Sequence, residues 1–471
     1  MTQTQSPARG GVPAAGGPGG QGAPRRRHAW AETAARLRAS AATEPGRLRI
    51  IGAALAVLVV AFGAVTAWQI SERATATGHV LHHSGPLSTD AAEIYRSLAD
   101  ADATVAGGFL VGGQEPRSAT ERYQADIRTA AELITEAAAN SDGSPQAAAQ
   151  IASLNRQLPY YTKLVATAQA DNLQGLPLGG AYLRFADQQM QQKGGLLDAA
   201  DKLYQAETGR LNADYADAKA LPWAAWALGA AALGTLVWAQ RRHYRRTNRV
   251  FNRGMLAATT ACAVALLWLV AGHTVARTEL SDSYAHGARS MQVLNNARIL
   301  VLQARGNENL TLVARGSGGS YEDGFTSGMA DLAGRDPKGV GGELAQALAL
   351  ADNTHGRDPV NTAIKGVQTW RERHTAARAS DDGGDYITAV ADVIGGKDSS
   401  GKTVTATTGQ CFDKVDASLE QAVSQEQKEF RKAADSGRGA LELLPYGAAV
   451  LAVLAAAGAA LGIGRRLAEY R

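Results

Sequence analysis

The sequence predicts an all-α integral membrane protein with four transmembrane helices and two tandem, duplicated extracellular helical bundles. Three observations carry that expectation. Four charge-free apolar runs interrupt the 471 residues, basic residues collect on one side of those runs, and the two long stretches between them share short motifs in the same order.

The runs are Ile50–Ile70, Leu221–Ala239, Met255–Ala276 and Leu444–Ile463, and none contains Asp, Glu, Lys or Arg. Each comes close to the ~20 residues that an α-helix needs to cross ~30 Å of hydrocarbon. Trp68, Trp223, Trp226, Trp238 and Tyr446 stand towards run ends, where amphipathic rings favour the interface. The first run begins well inside the chain and lacks a small-residue cleavage site, so it reads as a retained span rather than a signal peptide.

Charge sets the orientation. Residues 1–48 form an Arg-rich tail whose Gly, Pro and Ala content predicts disorder, with His28–Ser40 a candidate short helix at the inner leaflet. The link 240–254 reads QRRHYRRTNRVFNRG, and residues 464–471 read GRRLAEYR. On this side of the runs lie 17 of the 48 Lys and Arg, all of them Arg, against Glu32, Glu44 and Glu469 alone. The positive-inside rule therefore puts both termini in the cytoplasm and segments 71–220 and 277–443 outside, where the net charge is −10. The arginines of the link (Arg241, Arg242, Arg245, Arg246, Arg249 and Arg253) are candidates for docking an acidic cytoplasmic surface. Topology accounts for them without nucleic acid.

Both long segments read as helical. Ala91, Ile94, Leu98, Ala101, Val105 and Gly108 alternate spacings of three and four, and Leu294, Ala297, Val301 and Ala304 repeat that seam. Breakers at Gly112–Pro116, Asn140–Pro145 and Leu173–Gly180 divide the first segment into four stretches, as in an up-down bundle. Duplication is read from three ordered matches: LADADATV with LNNARILV, GGAYLRFAD with GGDYITAVAD, and LLDAADKLYQA with CFDKVDASLEQA. Positions paired by these matches, Tyr182 with Tyr386 and Asp198 and Asp201 with Asp413 and Asp416, are candidate partner or ligand contacts. Trp370, Arg371 and Arg373 are candidates for an anionic ligand.

Gly396–Thr403 spells GKDSSGKT, a full match to the phosphate-binding loop G-x-x-x-x-G-K-[ST]. Such a loop must follow a buried strand and open a helix. YITAVADVI has the length of a strand, but TVTATTGQ is a poor helix start, and the expected topology puts the motif outside the cell. The first repeat lacks these residues, so the stretch is expected to be a loop insertion without nucleotide. His79, His82 and His83 have metal-ligand types and spacing but no acidic or thiol companion, so they form only a weak metal candidate. No catalytic signature appears, no cofactor is implied, and an enzyme is not expected. Cys262 lies in a run and Cys411 outside, too far apart in topology to pair; Cys411 is either a small buried residue or an intermolecular bridge. Gly458-x-x-x-Gly462 suits close helix contact within the chain or in a homodimer.

The span–bundle–span plan resembles the helical sensor segments of bacterial chemoreceptors and histidine kinases, and AGGFLVGGQEP…ERYQADI looks like the turn between their first two helices. The whole layout is similar to actinobacterial four-span proteins of the GlnX type. That resemblance implies a link between a GlnH-type amino-acid-binding lipoprotein outside and the soluble Ser/Thr kinase G inside. It rests on layout and carries no binding residue across. Two other readings stand beside it: a direct small-molecule receptor, and a structural scaffold of the cell envelope.

Overall fold

The computed structural model describes residues 44–468 except 113–114, 141–143, 177, 248–252, 338, 352 and 443. The N-terminal tail with its expected helix, and Arg249 of the link, lie outside the described residues; nothing is described of the Arg246 side chain.

Helix α1 (Glu44–His79) passes through a π-helical turn (Val80–Ser84) into α2 (Gly85–Leu110) without a break. At 1.5 Å per residue this rod is about 100 Å long. The first half continues with α3 (Arg117–Asn140), α4 (Pro145–Leu173), α5 (Leu178–Gln191), α6 (Leu196–Ala218) and α7 (Trp223–Thr247). The second half opens with the same device: α8 (Arg253–Asp282), a π turn (Ser283–Ala288) and α9 (Arg289–Val313). Then come α10 (Gly319–Ala333), α11 (Gly342–Leu350), α12 (Thr354–Asp382), α13 (Tyr386–Ile394), a hairpin of β1 (Gly396–Lys397) and β2 (Thr403–Val404), α14 (Thr408–Glu442) and α15 (Leu444–Ala468). Local chemistry fixes several starts. Ser144 caps α4 through Ala147 N–H with Pro145 behind it, Asn353 caps α12, and Asp385 caps α13. YITAVADVI, strand-like by length, is the helix α13.

Among the described residues, four helices are long and apolar enough to cross a membrane. They pack as a ring in which α15 lies along α1 and α8, while α7 lies along α1 and touches α8. The glycine motif of the fourth span is used inside this ring. A Cβ on Gly254 would meet Gly458 O and the Gly462 backbone at 2.6 Å, so α8 and α15 touch backbone to backbone.

Away from the spans, the two halves share one core. The cluster of buried side chains runs from Ala91 of α2 to Ala422 of α14, and α2 packs directly along α9. The heptad seam explains only one face of α2. Ala92, Tyr95, Ala99, Ala103 and Ala106 on its other faces are buried as well, and a helix that is apolar all round needs neighbours all round. Hydrogen bonds that join the halves in this core include Gln303 Nε2 to Tyr95 OH at 2.6 Å, Asn309 Nδ2 to Ala103 O at 3.0 Å, and Tyr321 OH to Asp187 Oδ2 at 3.2 Å.

Candidate functional site

Where α2 and α9 diverge, a cleft of about 510 Å³ opens at the end away from the spans. Its walls are the last turns of α2, the first turn of α3, Asn309 of α9, the base of the hairpin and the first turns of α14. Arg122 of α3 dominates the polar side. Its Nη2 and Nε lie 2.9 and 3.1 Å from the two oxygens of buried Asp100, and its Nη1 lies 3.5 Å from Asp413 of the other half. Asp126 stands in the same cluster with its pKa pushed up to about 7, first by burial and then by the charge of Asp100.

Behind the cleft lies a buried polar chain. Glu308, 1 % exposed, accepts hydrogen bonds from Arg305 Nη1 (2.6 Å), His374 Nδ1 (2.9 Å), Trp370 Nε1 (3.0 Å) and Thr408 Oγ1 (3.0 Å). The other imidazole nitrogen, His374 Nε2, is 3.0 Å from Glu322, which also pairs with Arg378. Burial opposes charge on His374, but the two carboxylates outweigh it and raise the pKa to about 9. The imidazolium stacks on Phe325 at 3.6 Å between ring centroids.

A second buried pair makes no ion pair with a cation among the described residues. Asp102 of α2 and Asp187 of α5 are 3 % and 4 % exposed; Tyr161 OH donates to Asp102 at 3.1 Å and Tyr321 OH to Asp187. Burial, then the neighbouring Asp187 charge, holds Asp102 well above the ordinary carboxyl range, and burial raises Asp187 to about 6.

The residues singled out from sequence fall into three groups. Asp413 lines the cleft, and Asp416, three residues on, pairs with Arg298 at 3.0 Å. Asp201 lines a second groove, of about 590 Å³, with Glu343 and Asp331, while Asp198 receives Gly194 N–H at 3.0 Å and pairs with Lys202 at 2.5 Å. Others are committed to the fold. Trp370 is 0 % exposed, which leaves it no surface for a partner. Arg371 donates to Met329 O, Gly334 O and Asp336 O at the end of α10, and Arg373 donates to Thr407 O and Cys411 Sγ. Cys411 is buried and free, as is Cys262. The third group is exposed: Tyr182 at 39 %, and the Arg241, Arg245 and Arg253 side chains, with Arg242 over the Trp238 ring at 5.4 Å. Tyr386 is half-buried beneath Arg315. His79 and His83 meet edge to face at 5.6 Å and His82 Nε2 is 3.0 Å from Arg438, a cation where a metal would have to approach. Among the described residues no group of three or more His, Cys, Asp or Glu is placed to hold a metal ion.

GKDSSGKT forms the hairpin. Asp398 Oδ1 accepts from Ser400 N–H and Lys402 N–H, both at 2.9 Å, and Gly401 N–H bonds Asp398 O. The amides that would cradle a phosphate are thus engaged by the motif's own aspartate. No helix opens at Lys402; α14 begins at Thr408. The polar chain centred on Glu308 was missed from sequence because its members are spread over four helices, and only the odd polar residues within the apolar pattern of α9 (Arg305 and Glu308) signal it.

A cleft between two helical halves, carried by rods that continue into four membrane-type helices, defines a membrane protein with a helical sensor head. A family model described as an actinobacterial sensor domain matches residues 76–216, from the end of α1 through most of α6. That match, with the four apolar helices, supports a sensing role for an actinobacterial-type membrane protein. No curated protein and no solved structure matches the chain.

Proposed function

We propose that the chain is a multi-pass signal transducer, without catalytic activity of its own, that passes an extracellular signal through its spans to a cytoplasmic partner. The observation that carries this reading is the continuity of α1–α2 and α8–α9, which line the cleft at one end and the membrane bundle at the other. A shift of α2 against α9 has no flexible linker in which to dissipate. The junction is also cross-braced: Tyr215 OH is 2.6 Å from Ser283 Oγ, which bonds Phe430 O at 3.2 Å. The layout's resemblance gives the finer form of the proposal: an amino-acid-binding lipoprotein outside, a Ser/Thr kinase inside, and the arginines of the α7–α8 link as the docking surface, with both termini cytoplasmic and a homodimer permitted.

The test is cysteine cross-linking in intact membranes, with Cys262 and Cys411 replaced by Ala. A Cβ on Gly52 lies 3.5 Å from Ile463 Cβ, inside disulfide range, so Gly52→Cys with Ile463→Cys reports the α1–α15 contact. The expected result is a cross-linking rate that changes with the external amino-acid supply and a captured kinase and binding protein. A rate indifferent to supply, with only envelope-assembly proteins captured, refutes the transducer.

A further inference from the structure

The cleft between the halves is built to take a ligand of definite chemistry. Arg122 is held by two unequal carboxylates. Asp100 is buried and bidentate, whereas the Asp413 side chain is 64 % exposed and stands 3.5 Å from Nη1. Asp413 is therefore the exchangeable partner, and an incoming carboxylate can take its place on the guanidinium without unpairing Asp100. Beside that position stands the Phe412 ring, with the guanidinium carbons of Arg122 and Arg305 at 5.6 and 5.9 Å from its centroid; Arg305 is itself paired with Glu308.

The second polar point is Asn309, which also lines the cleft and is 1 % exposed. Its Nδ2 is given to Ala103 O, while its buried Oδ1 has no hydrogen-bond partner among the described residues. Leaving a buried acceptor without a donor is costly, so a group that supplies an N–H there is favoured over one that does not. A cavity of about 510 Å³ is larger than one amino acid fills and within the usual range for small-molecule sites.

We propose that the inter-half cleft binds a peptide-like zwitterion of about dipeptide size, with its carboxylate on Arg122 and an amide or ammonium N–H on Asn309 Oδ1. Binding bridges α3 of the first half to α9 of the second, and so sets the spacing of the two rods. The signalling consequence rests on the transducer reading; the binding itself does not.

The experiment uses the full chain in lipid nanodiscs, followed by thermal melting and calorimetry with alanylalanine, succinate and putrescine as probes. Alanylalanine is expected to stabilise saturably, with succinate, which lacks N–H, and putrescine, which lacks a carboxylate, at least tenfold weaker. Arg122→Lys keeps the charge near Asp100 but loses the fork, and is expected to weaken the dipeptide at least tenfold. Ser118→Trp, on an exposed first-turn position of α3 at the cleft wall, is expected to abolish binding while leaving the unliganded melting temperature unchanged. Absence of saturation up to about 10 mM overturns the proposal, as does equal binding of succinate or undiminished binding in Ser118→Trp. Dipeptide binding without any change in α1–α15 cross-linking leaves the cleft site standing and refutes the transducer; a supply-dependent change without dipeptide binding does the reverse.

Discussion

His374 Nδ1 lies 2.9 Å from Glu308 Oε1, and the Glu308 side chain is 1 % exposed. The imidazolium is therefore half of a buried ion pair whose other half also binds Arg305. Its folded pKa of about 9 stands above the unfolded value of 6.5. A group raised in this way contributes stability fully below the unfolded value and loses it as pH rises through the folded one. Stability should accordingly decline between pH ~6.5 and ~9, by on the order of 2–3 kcal/mol in total. His374→Gln should remove that slope and, by leaving Glu308 short of a partner, lower the melting temperature at pH 7. Thermal melts of both proteins across this pH range check the sign.

The Asp102–Asp187 pair predicts a slope in a different window. Both carboxyls are held above their ordinary range, Asp187 at about 6, so the folded state keeps a proton that the unfolded chain releases near pH 4. Their stabilisation is complete below that point and is lost as pH rises through 6 and beyond. The groups facing them are Tyr161, Tyr123, Tyr321 and Gln191, and the charge of Arg184 acts on Tyr321 beside them. Asp187→Asn should flatten the slope between pH ~4 and ~7 and be more stable than the parent at pH 8, by roughly 1–3 kcal/mol. A variant less stable than the parent at pH 8 would mean that the pair holds a cation rather than a proton.

The spans were legible because lipid admits only apolar, internally bonded helices, so each is written as an unbroken run. The first three bundle helices of the first segment were legible through period and breakers. What sequence did not reveal is the joining of the halves. Ala92, Ala99 and Ala103 are small residues that read as helix formers anywhere, and only the facing α9 gives them a role. The site followed the same division. Asp413 is a candidate through its motif match with the first segment, whereas Arg122 and Asn309 are a surface-type arginine and an asparagine on different helices, and sequence order does not bring them together.

The α8–α15 contact gives a graded series. A Cβ at Gly254 would meet backbone atoms at 2.6 Å, one at Gly458 would meet Gly254 O at 3.0 Å, and one at Gly464 would meet nothing within 4 Å. Alanine has the better helix propensity by about 1 kcal/mol, so the steric term alone decides the sign. Gly464→Ala should be neutral or slightly stabilising, Gly458→Ala mildly destabilising and Gly254→Ala strongly so, because backbone atoms have no rotamer into which to retreat. Melting temperatures in detergent order the three variants. Equal effects at Gly254 and Gly464 would show that the helices are further apart than described.

The hairpin offers the last prediction. Its turn depends on Asp398, whose carboxylate lies below its ordinary pKa because Ser400 and the Lys402 and Ser400 amides donate to it. Asp398→Ala should loosen Gly396–Val404, seen as faster amide exchange there, with the global melting temperature almost unchanged because these residues bury no core side chain. Lys402→Ala should change neither quantity, and MgATP should not shift the melting of either variant or of the parent, since the phosphate-cradling amides are already satisfied. Val404 and Thr405 also form part of the cleft wall. Shortening Gly396–Val404 to a turn like Gln192–Gly195 of the first half should therefore keep the fold but open the cleft. Dipeptide should then dissociate faster, while Arg122 and Asn309 keep their places on α3 and α9. A shortened variant with parental dissociation rates would assign the hairpin to some other surface of the head.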